Sequence, residues 1–271
     1  MVNHLEKGGF SLEKSQKLTV LDLFSGIGGF SLGLESTGGF QTVGFCEIDH
    51  FCVKVLNKHW PHIPVFNDVR TLKYGRPVDV VTGGFPCQDL STSGHQKGLQ
   101  GDRSGLWYEM LRICREVVPR YIVVENVSNL LIGERGCWFA TFLRDLAEIR
   151  YDVQWHCIPA AAVGAIHPRD RIWAIAYPHE KRRDVHEVLF NSIAGQIAAC
   201  RASRSQLALL ARYQQVRLEE VLQDHRKLDG LSAAVDTTGA IGNTVYPKIP
   251  FIIGNAILAA ERACTGARPD E

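Results

Sequence analysis

Leu18-Thr-Val-Leu-Asp-Leu-Phe24 followed at once by Ser25-Gly-Ile-Gly-Gly29 reads as a buried strand, a glycine turn and the first residues of a helix that runs on through Glu35. Outward from this unit the same texture repeats. Short apolar, β-prone runs at 42–46, 78–81, 121–124, 153–158 and 171–176 alternate with helical patterns at 50–58, 106–117 and 138–149. Such alternation predicts an α/β fold with a doubly wound, mostly parallel sheet. Beyond residue 177 the strand signals stop, and 181–227 is rich in Ala, Leu, Gln and Arg. We therefore expect an N-terminal extension at 1–17, an α/β domain at 18–176 and a small helical lobe at 177–240. A C-terminal segment at 241–271, with an apolar helix over 249–260, is expected to pack back on the α/β domain.

The 271 residues, 45% of them hydrophobic, suffice for one sizeable core and a small second unit. The charge is nearly balanced, 30 basic against 29 acidic residues, so a nucleic-acid partner has to be argued from sites rather than from bulk charge. Eight cysteines are scattered without a CxxC pair, which speaks against a zinc cluster or a disulfide scaffold and for reduced thiols and no metal. No run approaches the length of a membrane span, and residues 1–17 are too polar for a secretory signal. The expectation is a soluble cytoplasmic protein without a membrane partner.

Several residues carry chemistry. A glycine turn between first strand and first helix lets backbone approach a ligand closely, but its spacing differs from the GxGxxG dinucleotide fingerprint. Glu47 follows the second strand, where a carboxylate can accept hydrogen bonds from ribose hydroxyls, and Asp68 stands where an adenine amino group would be met. Either residue alone reads equally well as a cap or a solvated turn. Gly84-Phe-Pro-Cys-Gln88 sets a cysteine on a tight turn after the strand at 78–81, where a nucleophile belongs, whereas the other seven cysteines read as small hydrophobes. Glu125 ends the next strand, desolvated enough to hold a proton for a ring nitrogen. Between Cys87 and Leu106 the glycine-rich, polar chain reads as an active-site lid. Gln88, Ser91, Ser93, Lys97 and Arg103 are its candidates for contacts to substrate.

Taken in order, Asp22-Leu-Phe-Ser-Gly-Ile-Gly-Gly29, Gly84-Phe-Pro-Cys-Gln88, Glu125-Asn-Val127, Arg169-Asp-Arg171 and Gly242-Asn-Thr-Val245 resemble the motifs of the DNA cytosine-5 methyltransferases. The resemblance implies a Rossmann-like fold of the class I S-adenosylmethionine-dependent methyltransferases, with S-adenosylmethionine as cofactor and double-stranded DNA as substrate. It implies that Phe24 and Ile27 flank the cofactor, Glu47 holds its ribose, Ile48 lies on its adenine where relatives often carry Trp, and Asp68 and Val69 read the adenine edge. Gly84, Pro86, Leu106, Asn243 and Thr244 would complete the pocket. Cys87 would add to carbon 6 of an extruded cytosine, Glu125 would bind its ring nitrogen and amine, and Arg171 and Arg169 would reach the base oxygen and a phosphate.

Where family members carry a long recognition region, 177–240 must serve here, and its basic residues Lys181, Arg182, Arg183, Arg201, Arg204, Arg212 and Arg217 suit phosphate contacts better than base reading. Relaxed or short sequence specificity follows, as does a rival reading in which these helices merely pack on the sheet. A tRNA cytosine-5 methyltransferase, the catalytic half of a split enzyme served by a partner recognition chain, and a non-catalytic DNA-binding relic are the alternatives. A cognate restriction endonuclease is a candidate partner. Oligomeric state is not readable from the sequence.

Overall fold

The computed structural model describes residues 16–85, 105–165, 169–202 and 244–265. The opening stretch forms β1 (Leu18–Leu23), the glycine turn and α1 (Gly29–Glu35). β2 (Phe40–Cys46), α2 (His50–His59), the two-residue β3 (Val65–Phe66) and β4 (Val80–Gly83) follow. Next in chain order come α3 (Leu106–Val117), β5 (Tyr121–Val127), α4 (Cys137–Glu148), β6 (Tyr151–Pro159), β7 (Asp170–Pro178), α5 (Arg182–Ala202) and α6 (Lys248–Thr265).

Seven strands make one sheet in the order β3-β2-β1-β4-β5-β7-β6. The first five pair in parallel, while β7 runs antiparallel to both β5 and β6. The mostly parallel, doubly wound sheet read from the sequence is thus present, with its reversal at β7. Strand side chains alternate between faces. Val20, Val80, Tyr121, Val123, Trp173 and Ile175 join one apolar cluster with α1, α5 and α6, whereas Leu21, Val81, Ile122, Val124 and Ala174 join a second with α3 and α4. Phe30 of α1 meets Trp173 of β7 edge to face, 5.6 Å between ring centres.

α5 modifies the expected division of the chain at residue 177. Its Val185, Leu189 and Ile193, spaced four apart, are fully buried in the same cluster as Phe30 and Trp173, so this helix roofs the sheet instead of standing in a separate lobe. It also ties to α6, where Asn255 Nδ2 donates to Gln196 Oε1 at 3.2 Å and Gln196 Nε2 donates to the Ile252 carbonyl at 3.2 Å. Of its basic residues, Lys181, Arg182 and Arg183 are exposed at the helix start, with Arg182 Nε 3.9 Å from Asp152 Oδ2. Residues 203–243, the remainder of the expected lobe, lie outside the described residues.

α6 returns to α1 as well. The chain at Val245 and Pro247 lies so close to Gly29 and Gly33 that side chains at either glycine would run into backbone. No helix among the described residues is long and apolar enough to cross a membrane. Because Leu189 is buried between α5 and the sheet, Leu189→Ala is expected to lower unfolding free energy by about 2–5 kcal/mol in denaturant titrations. A loss under about 0.5 kcal/mol, the usual size for a surface substitution, would detach α5 from the core.

Candidate active site

The site lies at the carboxyl ends of β1, β2, β4 and β5, where open α/β sheets bind ligands. On the cofactor side, the glycine turn is shaped by positive φ values at Phe24 (52°), Gly26 (54°) and Gly28 (87°). Gly28 has a second reason to be glycine, because a Cβ there would stand 2.7 Å from the Trp60 ring, which floors the turn. Trp60 is held in turn by Glu35, whose carboxylate accepts from its indole N–H at 2.9 Å and from the Thr42 backbone N–H at 2.9 Å.

Glu47 is half-buried and faces the turn. Its Oε2 accepts from the Gly26 N–H at 2.7 Å and its Oε1 from the Asp49 N–H at 2.9 Å. A Cβ at Gly26 would have open space around it, so there is room above the turn for a ligand. Ile48 projects next to Glu47, 58% exposed, an apolar side chain without cover. Asp68 sits close enough that it and Glu47 both push the buried Cys46 thiol up to about 12, with burial as the larger cause. Asp68 is gripped by Arg70, whose Nε and Nη2 donate to it at 2.8–3.1 Å, and those hydrogen bonds hold its carboxyl below the usual range. Val69 is buried beneath it. A half-buried ribose-type acceptor, an uncovered apolar side chain and open space over a glycine turn fit a nucleoside cofactor.

The catalytic side is built on β5. Glu125 is buried at the strand end. Arg171 Nε lies 3.0 Å from Glu125 Oε1 and Arg169 Nη2 lies 3.9 Å from it. Arg171 lies on β7 and Arg169 just ahead of it, and the antiparallel register of β7 sets Trp173 opposite Glu125 so that Arg171 is the diagonal neighbour on the same face. The Arg171 contact is an ion pair without hydrogen-bond alignment, and among the described residues Oε1 has no hydrogen-bonding partner. Burial raises the Glu125 carboxyl, with the Arg171 and Arg169 charges opposing, while burial lowers the Arg169 guanidinium, helped by the Arg171 charge.

The nucleophile segment starts beside this acid. A Cβ at Gly84 would stand 3.1 Å from Glu125 Oε2, so a larger residue would crowd the carboxylate. Phe85 is buried against Trp107, 5.6 Å between ring centres, and Trp107 Nε1 donates to Asp145 Oδ2 at 2.9 Å, which pins the start of α3 and Leu106 with it. Thr244 lies just before the segment that docks on Gly29. Pro86, Cys87, Gln88, Ser91, Ser93, Lys97, Arg103 and Asn243 lie outside the described residues.

Sequence reading missed three residues of this region. Asp22 is fully buried and accepts from Ser31 Oγ at 2.9 Å and Thr82 Oγ1 at 2.7 Å. A lone acid inside the apolar run Leu18-Thr-Val-Leu-Asp-Leu-Phe24 was the available signal.

An open sheet with its seventh strand reversed, and a glycine turn and a buried acid at its carboxyl ends, defines a Rossmann-like α/β fold. The family described as C-5 cytosine-specific DNA methylase matches residues 18–230, and the chain belongs to that family. Among its relatives, the Type II methyltransferase M2.BsuMI of Bacillus subtilis (strain 168) is 33% identical over 62% of this chain and 44% of its own length. Type II methyltransferase M1.ScrFI of Lactococcus lactis subsp. cremoris is 33% identical over 62% and 43%. The matched region thus spans less than half the length of these relatives. The S. pombe Dnmt2 methyltransferase structure superposes with a TM-score of 0.52 over 60% of this chain and 51% of its own, at 21% identity, a likeness of fold.

Gly28→Ala is expected to cost about 1–3 kcal/mol of stability from its left-handed backbone and the approach to Trp60. Adding Trp60→Leu should recover only the part due to the ring. Chemical unfolding of the single and double variants measures both.

Proposed function

We propose that this chain is a DNA cytosine-5 methyltransferase that methylates carbon 5 of a flipped-out cytosine with S-adenosylmethionine as donor, through a covalent adduct at Cys87. The observation that carries the reading is the buried Glu125, with an oxygen lacking an aligned partner, two arginines beside it and Gly84, three residues before Cys87 in the sequence, against it. The family's description as a C-5 cytosine-specific DNA methylase favours DNA over tRNA as substrate, and a cognate restriction endonuclease is the proposed functional partner.

In this reading Glu47 holds the cofactor ribose, Ile48, Phe24 and Ile27 enclose its adenine and methionine portions, and Asp68 and Val69 meet the adenine edge. Gly84, Pro86, Leu106, Asn243 and Thr244 complete the wall. S-adenosylmethionine, when bound, supplies an electrophilic methyl on its sulfonium. The chain's own residues do the rest. The Cys87 thiolate, favoured by nearby positive charge, adds to carbon 6, and its electron pair makes carbon 5 nucleophilic. Glu125, whose raised carboxyl keeps its proton more readily than an exposed one, hydrogen-bonds ring nitrogen 3 and the amine and stabilises the charge that develops on addition. Arg171 reaches the base oxygen and Arg169 a phosphate. After carbon 5 is methylated its proton leaves, the carbon–sulfur bond breaks, and the ring and thiolate are restored.

A stacked cytosine cannot meet Cys87, so the base leaves the duplex at a cost of a few kcal/mol. Gln88, Ser91, Ser93, Lys97 and Arg103 are assigned to holding the extruded base and its flanking phosphates. The short matched length favours a second reading in which sequence recognition resides on a partner chain. Methylation of duplex DNA by the purified single chain, mapped by bisulfite sequencing, separates the two, and modification of a single long motif would contradict relaxed specificity.

Duplex DNA containing 5-fluorocytosine, whose fluorine blocks the final proton loss, should trap the protein covalently in the presence of S-adenosylmethionine. Cys87→Ser should abolish the adduct and Cys114→Ser should leave it, and the opposite pattern would refute the assignment. Glu125→Gln is expected to slow turnover about 10²–10⁴-fold, the range of a lost general acid. A change below about threefold, within what rotamer adjustment alone produces, would remove Glu125 from the chemistry.

A further inference from the structure

One residue grips the cofactor turn at both ends. The Asp22 carbonyl accepts from Ser25 Oγ at 2.6 Å, at the start of the turn. Its carboxylate Oδ2 accepts from Ser31 Oγ at 2.9 Å, in the first turn of α1, and the Ser31 backbone N–H also donates to this carboxylate. Helix α1 starts on Gly28, which has no side chain to cap the free N–H groups behind it. Asp22 supplies that acceptor from the strand below.

The other carboxylate oxygen points the opposite way. Oδ1 accepts from Thr82 Oγ1 at 2.7 Å, across the β1–β4 pairing in which Asp22 stands opposite Thr82. Gly83, Gly84 and Phe85 follow Thr82 directly and lead into Cys87. The residue is fully buried, so nothing outside the protein competes for these bonds. Burial pushes its carboxyl up to about 7, against the Thr82 and Ser31 hydrogen bonds and with the Glu47 charge. Buried polar networks of this kind hold geometry when every member is satisfied.

We propose that Asp22 is a positioning residue that couples the cofactor turn to β4, the strand that precedes Cys87 in the chain, so that cofactor occupancy of the turn is felt at the nucleophile. The assignment rests on the methyltransferase reading above. Asp22 touches neither cofactor nor base; it acts through Ser25, Ser31 and Thr82. Shifting the turn by a few tenths of an ångström strains the bonds to Asp22 from Ser25 Oγ and the Ser31 N–H, both of which survive loss of the Ser31 hydroxyl, and the same residue passes the strain to Thr82.

Two quantities test this in the intact chain. The first is the dissociation constant for S-adenosylmethionine by calorimetry. The second is the rate of Cys87 alkylation by iodoacetamide with and without that cofactor, read by peptide mass spectrometry and independent of DNA. In the unsubstituted protein the cofactor should change the alkylation rate. Ser31→Ala should weaken cofactor binding about tenfold, as loss of one bond to a carboxylate does, and keep the cofactor effect on Cys87 at saturation. Thr82→Val should leave the dissociation constant within about threefold, below what one such bond contributes, and abolish the cofactor effect. Asp22→Asn should do both. A general loss of stability cannot produce this split, and thermal unfolding of the milder Ser31→Ala and Thr82→Val variants controls for it. Equal losses in both quantities for these two variants, or a folded Asp22→Asn protein unchanged in both, would overturn the coupling. An unsubstituted chain that binds cofactor without any effect on Cys87 overturns the coupling alone, whereas one that binds no cofactor overturns the methyltransferase reading and the coupling with it.

Discussion

A carboxylate at the end of a buried strand is tolerable only if opposite charge is brought to it, because desolvation disfavours the ionised form. Glu125 meets that condition through Arg171 and Arg169, which stand 3.0 and 3.9 Å from its Oε1. Arg171 enters on β7 and Arg169 stands just ahead of it, and the antiparallel run of β7 against β5 puts that start at the strand end where Glu125 sits. A parallel strand in that slot would begin at the opposite edge of the sheet. The reversal of β7 is therefore what makes the buried acid tolerable at that strand end.

Strand periodicity arranges the remaining groups. Asp22, Thr82 and Glu125 occupy alternate positions with Val20, Val80 and Val123 on the face covered by α1, α5 and α6. Near the middle of the sheet that face is apolar, with Phe30 on Trp173 and α5 sealing it through Val185, Leu189 and Ile193. Toward the carboxyl ends the same rows become polar, where Asp22 finds hydroxyl donors and Glu125 the charge of two guanidinium groups. Rigid strands hold these groups, which gives the site the fixed geometry that electrostatic stabilisation requires.

The cofactor turn follows a related logic. Its positive φ values and the contact of Gly28 with Trp60 leave the backbone little freedom, and Glu47 and Asp22 accept hydrogen bonds from its N–H and hydroxyl groups. Asp68, by contrast, is half-buried and tied to the exposed Arg70, so it can exchange one partner for another at small cost. The turn is thus preformed while the Asp68 side of the site stays adjustable.

Membership of the cytosine-5 methylase family, the doubly wound sheet, and most helix and strand positions were legible in the chain because hydrophobic periodicity and glycine punctuation are local signals. α3 over Leu106–Val117 appears where its 3.6-residue pattern lies. The motif resemblance assigned Glu125, Arg169 and Arg171 to one site but not to each other, since no spacing along the chain reveals which way β7 runs. β3, two residues long, is too short to leave a period, and α5 reads as a lobe because a helix gives no sign of which surface it will cover. Asp22 carried a faint signal as an acid in an apolar run, yet its partners Ser31 and Thr82 are neighbours only across a helix start and a strand pair. What the sequence determined by itself was the set of elements and the chemical groups placed at their ends, because both are written in contiguous residues. Which of those groups meet was decided by tertiary structure alone, through strand order, strand direction and the burial that makes each charge depend on its neighbours.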